Sequence, residues 1–379
     1  MNNQVTICSV GDLMVCDSPL YASVGVGSSY PQLKGKLFAD CRDIFTGADI
    51  VIGNFETVVH KPANSSLKEI QMCCTEDVIK ELRDNGFGIL NLANNHCMQH
   101  GPEGFSETEA SCKKYGIQPI GIRDEEPYEI TVNGVRLVFL SLCIHIEWYQ
   151  PDHILYEDRI EKILEDIKAI RKRDDRTVII VSVHWGDEFA PFPSNAQITL
   201  GHKMIDLGAN IVLGHHPHVY QGIEEYHSGI IAYSQGNFIS DMVPEICRQT
   251  GILTLQAEAV QEGVSVSYAF QPCFINDSYL PVLSKEEWIS ERDKMLAESL
   301  EGRHTDQEYW KTIGHNHSIA HTGFKQYFRK NLRKYKPGIA VKMIIEFVGR
   351  KARRIIGNTT DGQVSSMDES IRCAADRVQ

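Results

Sequence analysis

Short apolar runs that stop at polar, metal-compatible residues recur along this chain. Val5 to Val10 closes on Gly11-Asp12, and the run beginning at Asp49-Ile50 closes on Asn54-Phe55-Glu56. Phe87 to Ala93 leads into Asn94-Asn95-His96, Val178 to Val183 into His184, and Asn210 to Leu213 into Gly214-His215-His216-Pro217-His218. Runs of this length and content read as buried β-strands. Between them lie stretches with helical spacing, at Glu76 to Gly86, Gly104 to Gly116 and Ala196 to Leu207. The clearest is Arg159 to Lys172, where Ile160, Ile163, Leu164, Ile167 and Ile170 share one face. Ile117 to Gly121 and Ile230 to Ser234 add two short strands. Asn133-Gly134 predicts a tight hairpin between Tyr128–Val132 and 135–142. A second hairpin joins Leu253 to Val260 with Val264 to Phe270. This alternation predicts a layered α/β fold on mixed sheets, with ligands at the C-terminal strand edge. Pro217 predicts that the His-Pro-His segment is extended and rigid.

With 379 residues and 42% hydrophobic composition, the chain can bury a large core. A formal charge of −12 argues against nucleic acid as a partner, because phosphate-backbone binding needs clustered cations. Eleven Cys show no CxxC pair, and Cys73-Cys74 are adjacent, so buried thiols in a reducing cytosol fit better than a disulfide framework. The N-terminus has no secretory pattern and no run of about 18 apolar residues occurs. The expected location is cytoplasmic, with peripheral association at the inner membrane face as an extension.

Asp, Glu, an Asn carbonyl and several His at successive strand ends suit one or two divalent transition metals, Mn, Fe or Zn, better than a nucleophilic triad. Asp12 or Glu56 could bridge two ions, an arrangement that polarises a substrate oxygen and lowers the pKa of a water to about 7. His96, beside the ligand candidate Asn95, is placed to act as a general acid. Glu188 is a second catalytic candidate, weighed against a solvated loop charge. Trp185 reads as packing, and Asn237 as either a turn residue or a site residue.

Taken in order, Gly11-Asp12, Asn54-Phe55-Glu56, Asn94-Asn95-His96, His184 to Glu188, Gly214 to His218 and Ser234-Gln235-Gly236-Asn237-Phe238 resemble the CapA-type poly-γ-glutamate capsule synthesis family, itself similar to calcineurin-like metallophosphatases. The resemblance spans about Val5 to Phe238. It implies a four-layer sandwich of two mixed β-sheets flanked by helices. It also implies that Asp12, Glu56, Asn95, His184, His216 and His218 are metal ligands and that His96 is the proton donor. His215 has no assigned role. Met14 departs from the metallophosphatase pattern, which places a histidine there, and a thioether suits a hard two-metal site poorly. One metal position is therefore expected to be weak or empty. The implied function is hydrolysis of a phosphoester or an amide-linked anionic polymer in capsule assembly, the alternative being a polymer-binding assembly protein with a relic of the metal site.

From about Pro281 the pattern predicts a helical appendage (281–379) on a core of 1–280, with a helix over Ser284 to Glu301. Residues 325–354 carry eleven Lys or Arg against one Glu, a local charge of +10 that leaves −22 on the remainder. Aromatic and aliphatic residues lie between these charges, with a break at Pro337-Gly338. An anionic membrane surface is one expected partner, and packing on the acidic body is the alternative. Thr359 to Gln379 reads as a polar tail.

Overall fold

The computed structural model describes residues 3–144, 159–285 and 288–345. Its strands, in chain order, are β1 (Gln4–Leu13), β2 (Ile50–Asn54), β3 (Val58–Val59), β4 (Cys73–Cys74), β5 (Phe87–Asn91), β6 (Gln118–Ile120), β7 (Tyr128–Val132) and β8 (Val135–Cys143). There follow β9 (Val178–His184), β10 (Ile211–His215), β11 (Tyr220–Tyr226), β12 (Gly229–Gln235), β13 (Asn237–Ile239), β14 (Gln249–Ala259), β15 (Val264–Ile275) and β16 (Pro281–Leu283). The helices are α1 (Val26–Leu33), α2 (Arg42–Thr46), α3 (Leu67–Ile70), α4 (Glu76–Asp84), α5 (Gly101–Lys114), α6 (Ile160–Arg173), α7 (Asn195–Asp206), α8 (Trp288–Leu300) and α9 (Asp306–Asn331).

Two sheets carry the architecture. One runs β16-β15-β14-β1-β2-β5-β6 with β13 also paired to β1, and the other runs β11-β12-β10-β9-β8-β7. A single apolar core joins their facing sides, Ile7, Ile52 and Ile89 from the first meeting Phe139, Ile180 and Leu213 from the second. The outer face of the first sheet is covered by α1, α4 and α5 through Tyr30, Ile79 and Phe105. The outer face of the second is covered by α6, α7 and α8 through Ile167, Met204 and Leu296. Helix, sheet, sheet and helix form the four layers that the resemblance implies. Burial on both faces explains why the central strands read as continuous apolar runs.

β1, β2, β5 and β13 are mutually parallel neighbours, as are β8, β9, β10 and β12. Their C-terminal ends therefore deliver side chains to a common edge in each sheet. Close backbone approach there needs glycine: a Cβ on Gly11 would sit 1.9 Å from the carbonyl oxygen of Gly236, and one on Gly214 would sit 2.0 Å from that of Tyr233.

Three expectations change. β10 continues through His215, which pairs with His184 of β9, so the first histidine of the motif is on a strand and not in the loop. The next residues are not extended, because His216 (φ 99°) and His218 (φ 57°) take left-handed backbone conformations around Pro217. Such strain in non-glycine residues persists only where surrounding contacts hold it. The division of the chain also moves: the compact units are Met1–Lys330 and Asn331–Gln379. β16 pairs with β15, and Leu296 of α8 is buried with the second sheet, so the region after Pro281 completes the first unit. α9 belongs there too, with Tyr309 donating to Asp187 at 2.9 Å and Asn316 donating to the Phe189 carbonyl at 2.9 Å.

In the second unit the described residues form a 3-10 turn at Leu332–Lys334 and a helical run over 337–345. Pro337 begins that helix, where its missing N–H costs nothing. Leu332, Val341, Ile344 and Ile345 are exposed. The rest of the basic segment and the polar tail lie outside the described residues. Among the described residues no helix is long and apolar enough to cross a membrane.

Candidate metal centre

Asp12 ends β1 with no exposed surface, and four groups converge on its carboxylate. Asn54 Nδ2 donates to Oδ1 at 2.8 Å, the His216 backbone N–H approaches Oδ2 at 3.4 Å, and His218 Nδ1 stands 3.2 Å from Oδ2. His215 Nδ1 lies 3.2 Å from Oδ1 without the angle of a hydrogen bond. The residue left without a role by sequence thus flanks the Asp12 carboxylate. Burial alone would raise the Asp12 pKa, but His215 and His218 outweigh it and hold the group far below the ordinary carboxylate range.

Glu56 is equally buried and behaves in the opposite way. Burial pushes its pKa well up, and the Asp12 and Glu188 charges add to this against the attraction of His218. Its Oε1 accepts no hydrogen bond. Around that oxygen stand His218 Nε2 at 3.6 Å, His96 Nε2 at 3.8 Å and His184 Nε2 at 3.9 Å. His218 is depressed by burial but raised more strongly by Glu56 and Asp12, to about 10. In a metal-free protein, protons thus occupy positions that a cation would otherwise take.

The remaining imidazoles complete the set. His184, at the end of β9, contacts Asn95 Oδ1 through Nε2 at 3.0 Å, and its ring lies 4.8 Å from that of His216. Glu56, His184 and His216 form one group whose ligand atoms all lie within 4.8 Å of one another, and Asp12, Glu56 and His218 form another. Glu56 is common to both, the position required of a bridging carboxylate. Ligands on bonds of about 2.1 Å lie roughly 3 to 4.2 Å from each other, the range in which the nitrogens surround Glu56 Oε1. An unsatisfied buried oxygen and an all-nitrogen-and-oxygen donor set fit Mn, Fe or Zn.

His96 stands at the margin with a side chain 14% exposed. Its Nδ1 meets Gln99 Oε1 at 2.7 Å and its backbone N–H donates to Asn94 Oδ1, so the ring is held with Nε2 toward the cluster. Glu188 is half-buried and raises the pKa of both Glu56 and His218 by its charge. Among the described residues it makes no hydrogen bond to the cluster. Trp185 packs on Tyr233 and donates to its carbonyl at 2.8 Å, a structural role. Met14 packs in a sulfur-rich cluster with Cys16, Met72 and Met242, and Ser240 Oγ donates to its sulfur.

Sequence reasoning quoted Asn54 within a motif without giving it a role and did not single out Asn91, both fully buried beside these groups. For Asn91 the signal was an amide inside an otherwise apolar strand. Asn237 lies beside the candidate ligands, its Oδ1 3.0 Å from His218 Nδ1.

The chain is 31% identical over 258 residues to the capsule biosynthesis protein CapA of Bacillus anthracis, covering 63% of this chain and 61% of that protein. It is 32% identical over 220 residues to the PGA biosynthesis protein CapA of Bacillus subtilis (strain 168), covering 54% and 57%. It therefore spans about three-fifths of the length of these relatives. A solved structure of a phosphatase from Mycoplasma pneumoniae aligns with a TM-score of 0.43 at 12% identity, covering 77% of this chain and 98% of that one. The family described as bacterial capsule synthesis protein PGA_cap matches residues 6–242, the segment holding every candidate ligand, and the chain belongs to that family.

Proposed function

We propose that this protein is a metal-dependent hydrolase of capsule or exopolymer biosynthesis, acting on a phosphoester or an amide-linked anionic polymer. The observation that carries this reading is Glu56 Oε1, a buried carboxylate oxygen with no hydrogen bond, ringed by three imidazole nitrogens at 3.6 to 3.9 Å. Burial penalises a bare carboxylate by several kcal/mol, and a divalent cation at this position would offset that penalty. Asp12, Glu56, Asn95, His184, His216 and His218 would hold one or two ions. A bound divalent ion supplies Lewis-acid polarisation of a substrate oxygen and acidifies water.

The chain's own groups account for the remaining requirements. Asn237 and Asp12 occupy His218 Nδ1, which turns Nε2 toward Glu56. Gln99 holds His96 through Nδ1, leaving Nε2 to deliver a proton to a leaving group. Asp12, Glu56, His184 and His216 have no exposed surface, which keeps bulk water from the ligand atoms.

Two measurements test the reading. Elemental analysis of purified protein should give about one or more Mn, Fe or Zn per chain. The metal-loaded protein should release p-nitrophenol from a p-nitrophenyl phosphodiester or shorten poly-γ-glutamate. Protein that neither contains nor takes up a transition metal overturns the proposal. Metal without turnover on either substrate favours the polymer-binding alternative.

A further inference from the structure

Asn237, Asp12, Asn54 and Asn91 form a row across four adjacent strands, Asp12 being the register partner of both Asn237 on β13 and Asn54 on β2, and Asn54 that of Asn91 on β5. All four are fully buried. Amides can be placed with oxygen and nitrogen exchanged, but here the direction can be followed from a donor that cannot turn. The Ala93 backbone N–H donates to Asn91 Oδ1 at 2.9 Å, and Ser141 Oγ donates to the same oxygen at 2.5 Å. Asn91 must therefore present Nδ2 to Asn54 Oδ1, at 2.9 Å. Asn94, which donates to the Phe55 carbonyl, gives Asn54 Oδ1 a second donor at 3.3 Å.

With its oxygen so occupied, Asn54 turns its NH2 toward the ligands. Nδ2 stands 2.8 Å from Asp12 Oδ1, 3.4 Å from Glu56 Oε2 and 3.3 Å from His184 Nδ1. One amide thus engages one oxygen of each carboxylate. The other oxygens, Asp12 Oδ2 and Glu56 Oε1, are those that face His218.

We infer that Asn54 is the positioning residue of the metal centre, oriented by Asn91, and that its donor NH2 sets which carboxylate oxygens of Asp12 and Glu56 are offered to the ions. The inference rests on the metal-dependent reading above. Among the described residues Asn91 makes no hydrogen bond to a candidate ligand, so its influence runs through the orientation of Asn54. In Asn91→Asp the shape is kept, but Asn54 Oδ1 loses its principal donor. The Asn54 amide then reverses to donate to the new carboxylate, and its oxygen faces Asp12 and Glu56.

The test uses the full chain stripped with EDTA and titrated calorimetrically with Mn²⁺ and Zn²⁺, together with the visible absorption spectrum of the Co²⁺-loaded form. Removing the partner that orients a metal ligand typically costs 10–100-fold in affinity. Asn54→Ala and Asn91→Asp should each weaken binding by that factor and alter the Co²⁺ spectrum, whereas Ser141→Ala, which leaves the Ala93 donor in place, should lose less. Circular dichroism and the metal-free melting midpoint identify a variant that has not folded. If Asn91→Asp does not fold, Asn54→Ala and Ser141→Ala decide the matter. Wild-type affinity and spectrum in folded Asn54→Ala and Asn91→Asp would overturn the inference while leaving the metal reading intact. A wild-type chain that binds none of the three ions would instead overturn the metal reading.

Discussion

Asp241 offers a pH-dependent stability change that can be worked out from its surroundings. It is 2% exposed, its Oδ2 accepts from the Ser18 backbone N–H at 2.9 Å, and its Oδ1 is buried without a hydrogen bond. Nearby Asp17 is already engaged by the Ser23 and Ser28 backbone N–H groups and the Ser28 hydroxyl. Burial first, and the Asp17 charge in addition, raise the Asp241 pKa from 3.8 to about 7, against the lowering effect of Ser18. A raised carboxyl favours the protonated folded state. Its contribution is therefore fully present below pH 3.8 and is lost as pH rises through about 7. A shift of about 3 units corresponds to about 4 kcal/mol at 1.36 kcal/mol per unit. Asp241→Asn keeps the shape and the acceptor for Ser18 but cannot ionise. Urea unfolding of both proteins in EDTA, at intervals from pH 4 to pH 8, gives the difference directly, since every other titrating group is common to the two. The variant's stability relative to wild type should rise by a few kcal/mol across that window, whatever constant offset the amide introduces. A difference that does not change with pH would show that Asp241 ionises as freely in the folded protein as in the unfolded chain, and the argument from burial would fail.

His218→Ala and His216→Ala should each release metal on dialysis, while His96→Ala should retain it and lose turnover; elemental analysis with an activity assay separates these roles, and identical behaviour of all three would refute the division. Met14→His should leave metal stoichiometry unchanged and lower the melting temperature, because it places an imidazole among Cys16, Met72 and Met242; a gain of one ion per chain would show that position 14 reaches the centre. We propose that the basic segment 325–354 docks on an anionic membrane surface, each Lys or Arg near such a surface contributing about 1 kcal/mol. The full chain should therefore sediment with anionic but not neutral vesicles, in a salt-sensitive way, and a chain ending at Lys330, which keeps three of the eleven cations, should sediment less; equal behaviour of the two chains would mean that the segment packs internally.

Much of the fold was legible because the strands that matter are buried on both faces. Val178 to Val183 and Ile211 to Leu213 could be nothing but interior, and the polar residues that end them then had to lie at a sheet edge. The same logic gathered Asp12, Glu56, Asn95 and His184 before any contact between them was known. It failed where a local rule was overridden by tertiary structure. Pro217 argued for an extended segment, yet His216 and His218 adopt positive φ to bring their rings to the carboxylates, a strain that no single-residue preference could reveal. α9 falls in the region expected to be helical, but its bounds were not legible because Tyr309, Ile313 and Phe324 are separated by exposed His, Lys and Gly, which blurs the helical period. β16 begins with a proline, which argues against a central strand but is compatible with the sheet edge that it occupies.

The polar row explains a subtler failure. Asn91 lies in a run, Phe87 to Ala93, whose other residues read as core, and in isolation a buried amide there is a liability. It becomes favourable only because Ala93, Ser141 and Asn54 satisfy it, and these come from the loop that follows β5, the opposite sheet and the adjacent strand. No periodicity could announce a network whose members are 2, 37 and 50 positions apart. The amide is nevertheless a sequence signal of a kind, since a strand buried on both faces has no solvent to satisfy a polar side chain. An Asn within such a strand therefore implies a partner elsewhere in the fold, and here following that partner leads through Asn54 to Asp12 and Glu56.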